Sequence, residues 1–158
     1  MKIFVSHSIK DKRILDSLQT LIKGQDLKLL IAEHEISIDH PTTVKIEQMI
    51  KQADLGLVLL TKNGFDSGFV REEVGFLKAL NKKTILAIEK GLKQDYGGFK
   101  YGWDNIEIDP KNPDKALEKI KSLIHKEYQR LTSEKEKNNG ILVIIGLVIA
   151  VLFLGSND

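Results

Sequence analysis

Leu55-Gly56-Leu57-Val58-Leu59-Leu60 carries no polar side chain. An unbroken apolar run of this length has no wet face. It predicts a strand buried on both sides, at the centre of a parallel sheet. Parallel strands need helical crossovers between them, and the chain supplies these in both directions. Upstream, Ile46, Met49, Ile50 and Ala53 line a helix that starts near Pro41, after a polar loop from Glu33 to His40. Leu29 to Ala32 is a second strand. Ile14, Leu18, Leu21 and Ile22 form a helical stripe, with Ser8 and Asp11 as its S-x-x-D start signal and Gly24 as its stop. Ile3-Phe4-Val5 is the first strand. Downstream, Thr61 to Ser67 is a loop with Asn63-Gly64 as a turn. Asp66 or Ser67 caps a helix over about Gly68 to Leu80. Thr84 to Ile88 is a fourth strand, Glu89 to Asp104 a long Gly-containing loop, and Asn105 to Ile108 a fifth, edge strand. Asn112-Pro113-Asp114 opens a last helix with Leu117, Ile120, Ile124, Tyr128 and Leu131 on one face.

The expected fold is therefore α/β: a flavodoxin-like, doubly wound, five-stranded parallel sheet of order 2-1-3-4-5. Sheets of this kind take ligands at the carboxyl ends of the strands, where the winding reverses. Here that point lies between strands 1 and 3, at Ser6-His7-Ser8 and Thr61 to Ser67.

Composition narrows the function. The chain has 158 residues, a formal net charge of +2 and no cysteine. One domain is expected, spanning residues 1–131. The small charge excess and sparse aromatics argue against a nucleic-acid partner. Without cysteine there is no disulfide, thiolate nucleophile or Cys-based zinc site. The histidines, at 7, 34, 40 and 125, match no metal-ligand spacing, so no metal is expected. Walker and G-x-G-x-x-G motifs are absent. The start of the chain does not read as a signal peptide.

Gly140 to Gly155 reads GILVIIGLVIAVLFLG, without a polar side chain. As a helix it spans roughly 24 Å, against a hydrocarbon core of roughly 30 Å. It is expected to be a short transmembrane helix over 140–155, reached through a charged linker at 132–139; a core or oligomerisation helix is the alternative. Lys135 and Lys137 on its near side place the N-terminal domain in the cytoplasm, giving a single-pass membrane protein.

One residue breaks its helix pattern. On a helical wheel, Glu73 falls inside the apolar arc made by Phe69, Phe76 and Leu80 on one side and Val70, Val74 and Leu77 on the other. A carboxylate on a core-facing arc loses hydration and needs a partner. It either reaches water or a capping N–H, or it is a partly desolvated carboxylate at the rim of the expected cleft, where such groups do chemistry.

FVSH at Phe4 to His7, ADLGLVLLT at Ala53 to Thr61, SGFVREEVGFLKAL at Ser67 to Leu80 and KKTILAI at Lys82 to Ile88 together resemble the Toll/interleukin-1 receptor (TIR) domain family, bacterial and archaeal type. The resemblance covers about Lys2 to Ile108. It implies an enzyme that cleaves the nicotinamide–ribose bond of NAD, with NAD as substrate and no further cofactor. It places Glu73 at the ribose as the catalytic residue, and Ser6, His7, Ser8, Ala32, Glu33 and Phe69 around the substrate. It also implies self-association, or association with other TIR domains, through the loop after strand 2. That loop departs from the family here: ISIDHPTT, Ile36 to Thr43, has Pro41 but no glycine. Phe69 stands where tryptophan is common. The reading is a membrane-tethered TIR-like NAD glycohydrolase in stress or antiviral signalling. The alternatives are a non-catalytic TIR adaptor and a nucleoside deoxyribosyltransferase-like enzyme.

Overall fold

The computed structural model describes residues 1–31, 42–92 and 102–154. The strands are β1 (Lys2–Ser6), β2 (Lys28–Ile31), β3 (Leu55–Leu60), β4 (Thr84–Glu89) and β5 (Asp104–Ile108). They form one sheet of order β2-β1-β3-β4-β5, with every pairing parallel. This is the doubly wound topology that the apolar runs predict. β3 is central, and all its residues are buried. That explains why its sequence shows no alternation: both faces of the strand are dry.

The helices are α1 (Lys12–Ile22), α2 (Thr42–Gln52), the one-turn α3 (Lys62–Phe65), α4 (Gly68–Ala79) and α5 (Asp114–Leu154). Strand alternation divides the sheet residues between two layers. Phe4, Val58 and Leu86 face α2 and α4 and pack with Ile46, Ile50, Val70, Val74 and Leu77. Ile3, Val5, Leu57, Leu59 and Ile85 point the other way, toward α1 and the first turns of α5. There Ile14, Leu18, Leu117 and Ile120 are buried. Ser67 caps α4 as expected, its Oγ accepting from the Val70 N–H at 3.5 Å. Asn63-Gly64, expected as a turn, instead belongs to α3, whose N-cap Thr61 accepts from the Gly64 N–H at 3.0 Å.

Two compact units divide the chain, Met1–Ser122 and Leu123–Asp158. The first holds the whole sheet. In the second, α5 runs on through residues 132–139, expected above as a linker. Arg130 there bridges Glu127 at 2.6 Å and Glu134 at 2.5 Å, one turn away on either side.

The expectation of a single-pass membrane protein, anchored through a transmembrane helix at 140–155 with a cytoplasmic N-terminal domain, is corrected. Among the described residues, no helix is long and apolar enough to cross a membrane. The helical part of the apolar stretch ends at Leu154. From residue 140 that gives roughly 22 Å, well below the roughly 30 Å hydrocarbon core. Upstream the same helix is rich in charge as far as Lys137.

α4 lies close on the sheet because β3 has a glycine beneath it. A Cβ on Gly56 would stand 2.7 Å from Thr84 Oγ1 and 2.8 Å from Leu77 Cδ2. Thr84 is itself fully buried and β-branched, so it cannot yield cheaply. Gly75, within α4, meets nothing within 4 Å. Gly56→Ala should therefore lower stability by about 1–3 kcal/mol through overpacking. Gly75→Ala should raise it by about 0.5–1 kcal/mol through helix propensity. Urea denaturation of both variants checks the pair; equal effects would contradict the close approach of α4.

Candidate functional site

The site begins with the stripe that α4 turns to the sheet. Its buried residues are Val70, Glu73, Val74 and Leu77, the i, i+3, i+4, i+7 spacing of a core face. Phe69 is 43% exposed. Of the two apolar groups flanking Glu73 on the wheel, the Val70, Val74 and Leu77 side is the one that is buried. Glu73 takes a core position and has no solvent exposure.

Strand alternation supplies its partner. Phe4 faces the α4 layer, so Ser6, two residues on, faces it as well. Ser6 is fully buried at the carboxyl end of β1, and its Oγ donates to Glu73 Oε2 at 2.5 Å. The Glu73 carboxyl is pushed up to about 8. Burial is the main cause; the Ser6 hydrogen bond pulls the other way, and the Glu72 charge adds to the rise. At neutral pH Glu73 is therefore mostly protonated in the closed structure.

The next residues of β1's terminus are buried too. His7 is 6% exposed, and burial holds its imidazole below the usual value against the pull of the Asp11 charge and of a backbone hydrogen bond with Val5. Ser8 caps a 3₁₀ turn, Ile9–Asp11, accepting from the Lys10 N–H at 3.4 Å. Asp11 does more than signal a helix start. Its buried carboxylate accepts from Thr61 Oγ1 at 2.6 Å and from Asn63 Nδ2 at 3.0 Å. It thus ties the loop after β1 to the segment after β3, across the point where the winding reverses. Sequence reasoning missed Asp11 and Thr61. A signal existed: Asp11 lies one helical step before Ile14, on the inward stripe of α1.

The structure brings Ser6 and Glu73 into contact, with His7 and Ser8 following on the chain. Phe69 is not with them; it stands one turn before Glu73 and is exposed. Ala32 and Glu33 lie outside the described residues. Among the described residues, the exposed large apolar side chains are Ile9, Val44 and Phe69. Ile9 lies in the 3₁₀ turn after β1, Val44 in the first turn of α2 and Phe69 in the first turn of α4. Thr43 Oγ1 donates to Glu72 Oε1 at 3.3 Å, which joins the starts of α2 and α4. Two cavities lined by described residues lie elsewhere, one between α1 and the start of α5 and one at the opposite sheet edge. Among the described residues no cluster of acidic and histidine side chains could hold a metal ion.

A buried carboxyl with a raised proton affinity, held by a hydroxyl, can work in two ways. Ionised, it stabilises positive charge; protonated, it is an acid.

Comparison with known proteins places this arrangement in context. Solved structures with a similar fold include a CMP N-glycosidase from Clostridium botulinum, with TM-score 0.59 and 17% identity, covering 78% of this chain and 99% of that one. A prokaryotic SEFIR domain matches with TM-score 0.56 and 19% identity, over 78% of this chain and 97% of its own. The FeoB G-domain from Methanococcus jannaschii matches with TM-score 0.54 and 11% identity, over 81% and 97%. At such identities these likenesses bear on the fold alone. No curated protein matches the sequence. The model of the TIR domain family matches residues 3–119, which span every strand together with Ser6 and Glu73, and the chain belongs to that family.

Proposed function

We propose that this TIR domain is an NAD glycohydrolase acting in stress or antiviral signalling, with Glu73 as its catalytic carboxylate. The observation that carries the reading is the buried Glu73 carboxyl, held by Ser6 at the carboxyl end of β1. In NAD the nicotinamide is a cationic leaving group. When the bond from C1′ of the ribose to the ring nitrogen breaks, the electron pair leaves with a neutral amine. No proton donor is needed at that end. Positive charge is left on the sugar, and an ionised Glu73 stabilises it. Water then bonds to C1′ and gives up a proton. Ser6 favours the ionised form of Glu73 through its hydrogen bond, and the cationic substrate favours it further.

Glu73 is sealed from solvent, so substrate reaches it only when the rim moves. In this reading self-association supplies that step. A monomer is then expected to be nearly silent.

A second reading is favoured by the CMP N-glycosidase that shares the fold. A pyrimidine leaving group is a poorer one and takes a proton as it departs. A carboxyl still protonated near neutral pH suits that task. A nucleoside deoxyribosyltransferase-like activity belongs to the same class.

The two readings predict opposite pH profiles. For NAD cleavage by the full chain at high protein concentration, kcat/KM should rise with pH and level off above about 8, where free Glu73 is ionised. For cleavage of CMP, it should fall over the same range. Glu73→Gln should reduce either rate by about 10²-fold or more. Ser6→Ala should move the midpoint to higher pH, since it removes the hydrogen bond that holds the proton affinity down. Silence toward both substrates in assembled protein would reject catalysis and leave the non-catalytic TIR adaptor.

Stability provides an independent check. The folded carboxyl keeps its proton up to about pH 8, whereas an unfolded one releases it near 4.5. The stability this group contributes is complete below the lower value. It is lost as pH rises toward the higher one, by at most about 1.4 kcal/mol per pH unit. Glu73→Gln should flatten this slope and melt above the parent protein at pH 9. A parent protein whose stability does not fall between pH 5 and pH 8 more than that of the variant would show that Glu73 is not desolvated.

A further inference from the structure

The proposed reaction does not use the opposite edge of the sheet, where β4 and β5 begin. A cavity of about 490 Å³ there is lined by Lys78, Asn81, Lys82, Lys83, Gly102 and Trp103. Three of these six are lysines, and no described lining residue is acidic. Lys82 is engaged: its Nζ donates to the carbonyls of Lys51 at 2.9 Å and Ala53 at 2.7 Å, at the end of α2. Its charge nevertheless remains in the wall. Lys78 Nζ stands 5.7 Å from the centre of the Trp103 ring, within cation–π range. Trp103 packs in part against the core below and leaves the rest of its surface to the cavity.

One feature opposes an anion here, because α4 ends at this edge. The negative end of a helix is equivalent to roughly half an elementary charge. Its last carbonyls are already occupied: Phe76 O accepts from the Leu80 N–H at 3.0 Å, Lys78 O from Asn81 at 3.0 Å, and Leu77 O from Lys82 at 2.9 Å. Lys78, Lys82 and Lys83 bring positive charge to the same end. The volume also exceeds what a single inorganic anion fills and lies within the range of small-molecule pockets.

We propose that this cavity binds a small molecule bearing phosphate groups, with Lys78 and Lys83 on the phosphate oxygens and Trp103 as the apolar wall. Converging lysines suit a multiply charged group, and they act on it as point charges. The half-buried indole suits the uncharged remainder of the ligand. The site lies at the edge of the sheet away from Ser6 and Glu73, so it is independent of the catalytic reading.

Trp103 is the single tryptophan of the chain, so its emission reports from the site itself. The full chain is titrated with ADP, with pyrophosphate and with adenosine at constant ionic strength. ADP should give a saturable change. In the double variant Lys78→Gln, Lys83→Gln its midpoint should rise by about tenfold or more. Circular dichroism should show the same fold, and Lys83→Gln alone should give an intermediate shift. Saturation by pyrophosphate as well assigns recognition to the phosphates; saturation by ADP alone assigns it to a nucleotide, and both support the proposal. The same binding is expected in a Glu73→Gln background, which separates this result from any failure of catalysis. No saturable change with ADP or pyrophosphate, an unchanged midpoint in the double variant, or adenosine acting as well as ADP would each overturn it.

Discussion

The hydrogen bond between Ser6 and Glu73 joins residues 67 positions apart and depends on almost every feature of the fold. It requires β1 beside β3, a crossover that brings α4 back over that pair, and strand alternation that turns Ser6 to the α4 side. It also requires Gly56, which lets the helix settle close enough. The arrangement is costly. Desolvation outweighs the Ser6 contact, since the proton affinity of Glu73 rises despite it. Val70, Val74 and Leu77, its neighbours on the stripe, show what packing alone selects at such positions. An apolar residue there would give a more stable helix–sheet contact. The proposed chemistry gives a reason for a carboxyl in that place, which folding alone does not.

Much of the architecture was legible because its signals are local. A strand buried on both faces leaves a run without alternation, and β3 and β4 read plainly for that reason. The stripes of α1, α2 and α4 follow from the helical period. Boundaries differ by a residue or so, as at β2, which begins at Lys28 where Leu29 is expected. Two features were not legible. α3 forms where Asn63-Gly64 predicts a turn, because Asp11 holds both Thr61 and Asn63 from 50 and 52 residues away. The charged stretch after Leu131 reads as a linker by polarity. Yet Glu, Lys and Arg are strong helix formers, and pairs such as Arg130–Glu134 support their continuation as helix. Polarity is a sign of exposure, and an exposed segment can still be regular.

Glu73 and Asp11 are a matched test of that same method. Glu73 lies on the inward stripe of α4, and Asp11, the N-cap of α1, lies in register with the inward stripe of that helix. For Glu73 the wheel puts the residue on the inward arc but leaves open whether it reaches water, and the structure buries it. For Asp11 a competing signal was present: S-x-x-D is also how helices begin, and a capping role accounts for the residue without burial. In the structure Ser8 does the capping, and Asp11 turns inward. A start signal and a buried partner look alike when the helix entry itself lies against the core.

The two buried carboxyls also divide the labour at one strand terminus. Asp11 receives two donors from the segment after β3 and fixes the two loops relative to each other. Ser6, the last residue of β1 before those loops, is thereby held where its hydroxyl meets Glu73. A group meant to change its protonation or its partner during a reaction needs surroundings that do not change with it. Asp11 is suited to that supporting role because its partners are structural, at the N-cap of α3 and in its first turn. In the proposed reaction Glu73 takes the reactive role, and Ser6, which holds it, offers a rotatable hydroxyl on a fixed strand.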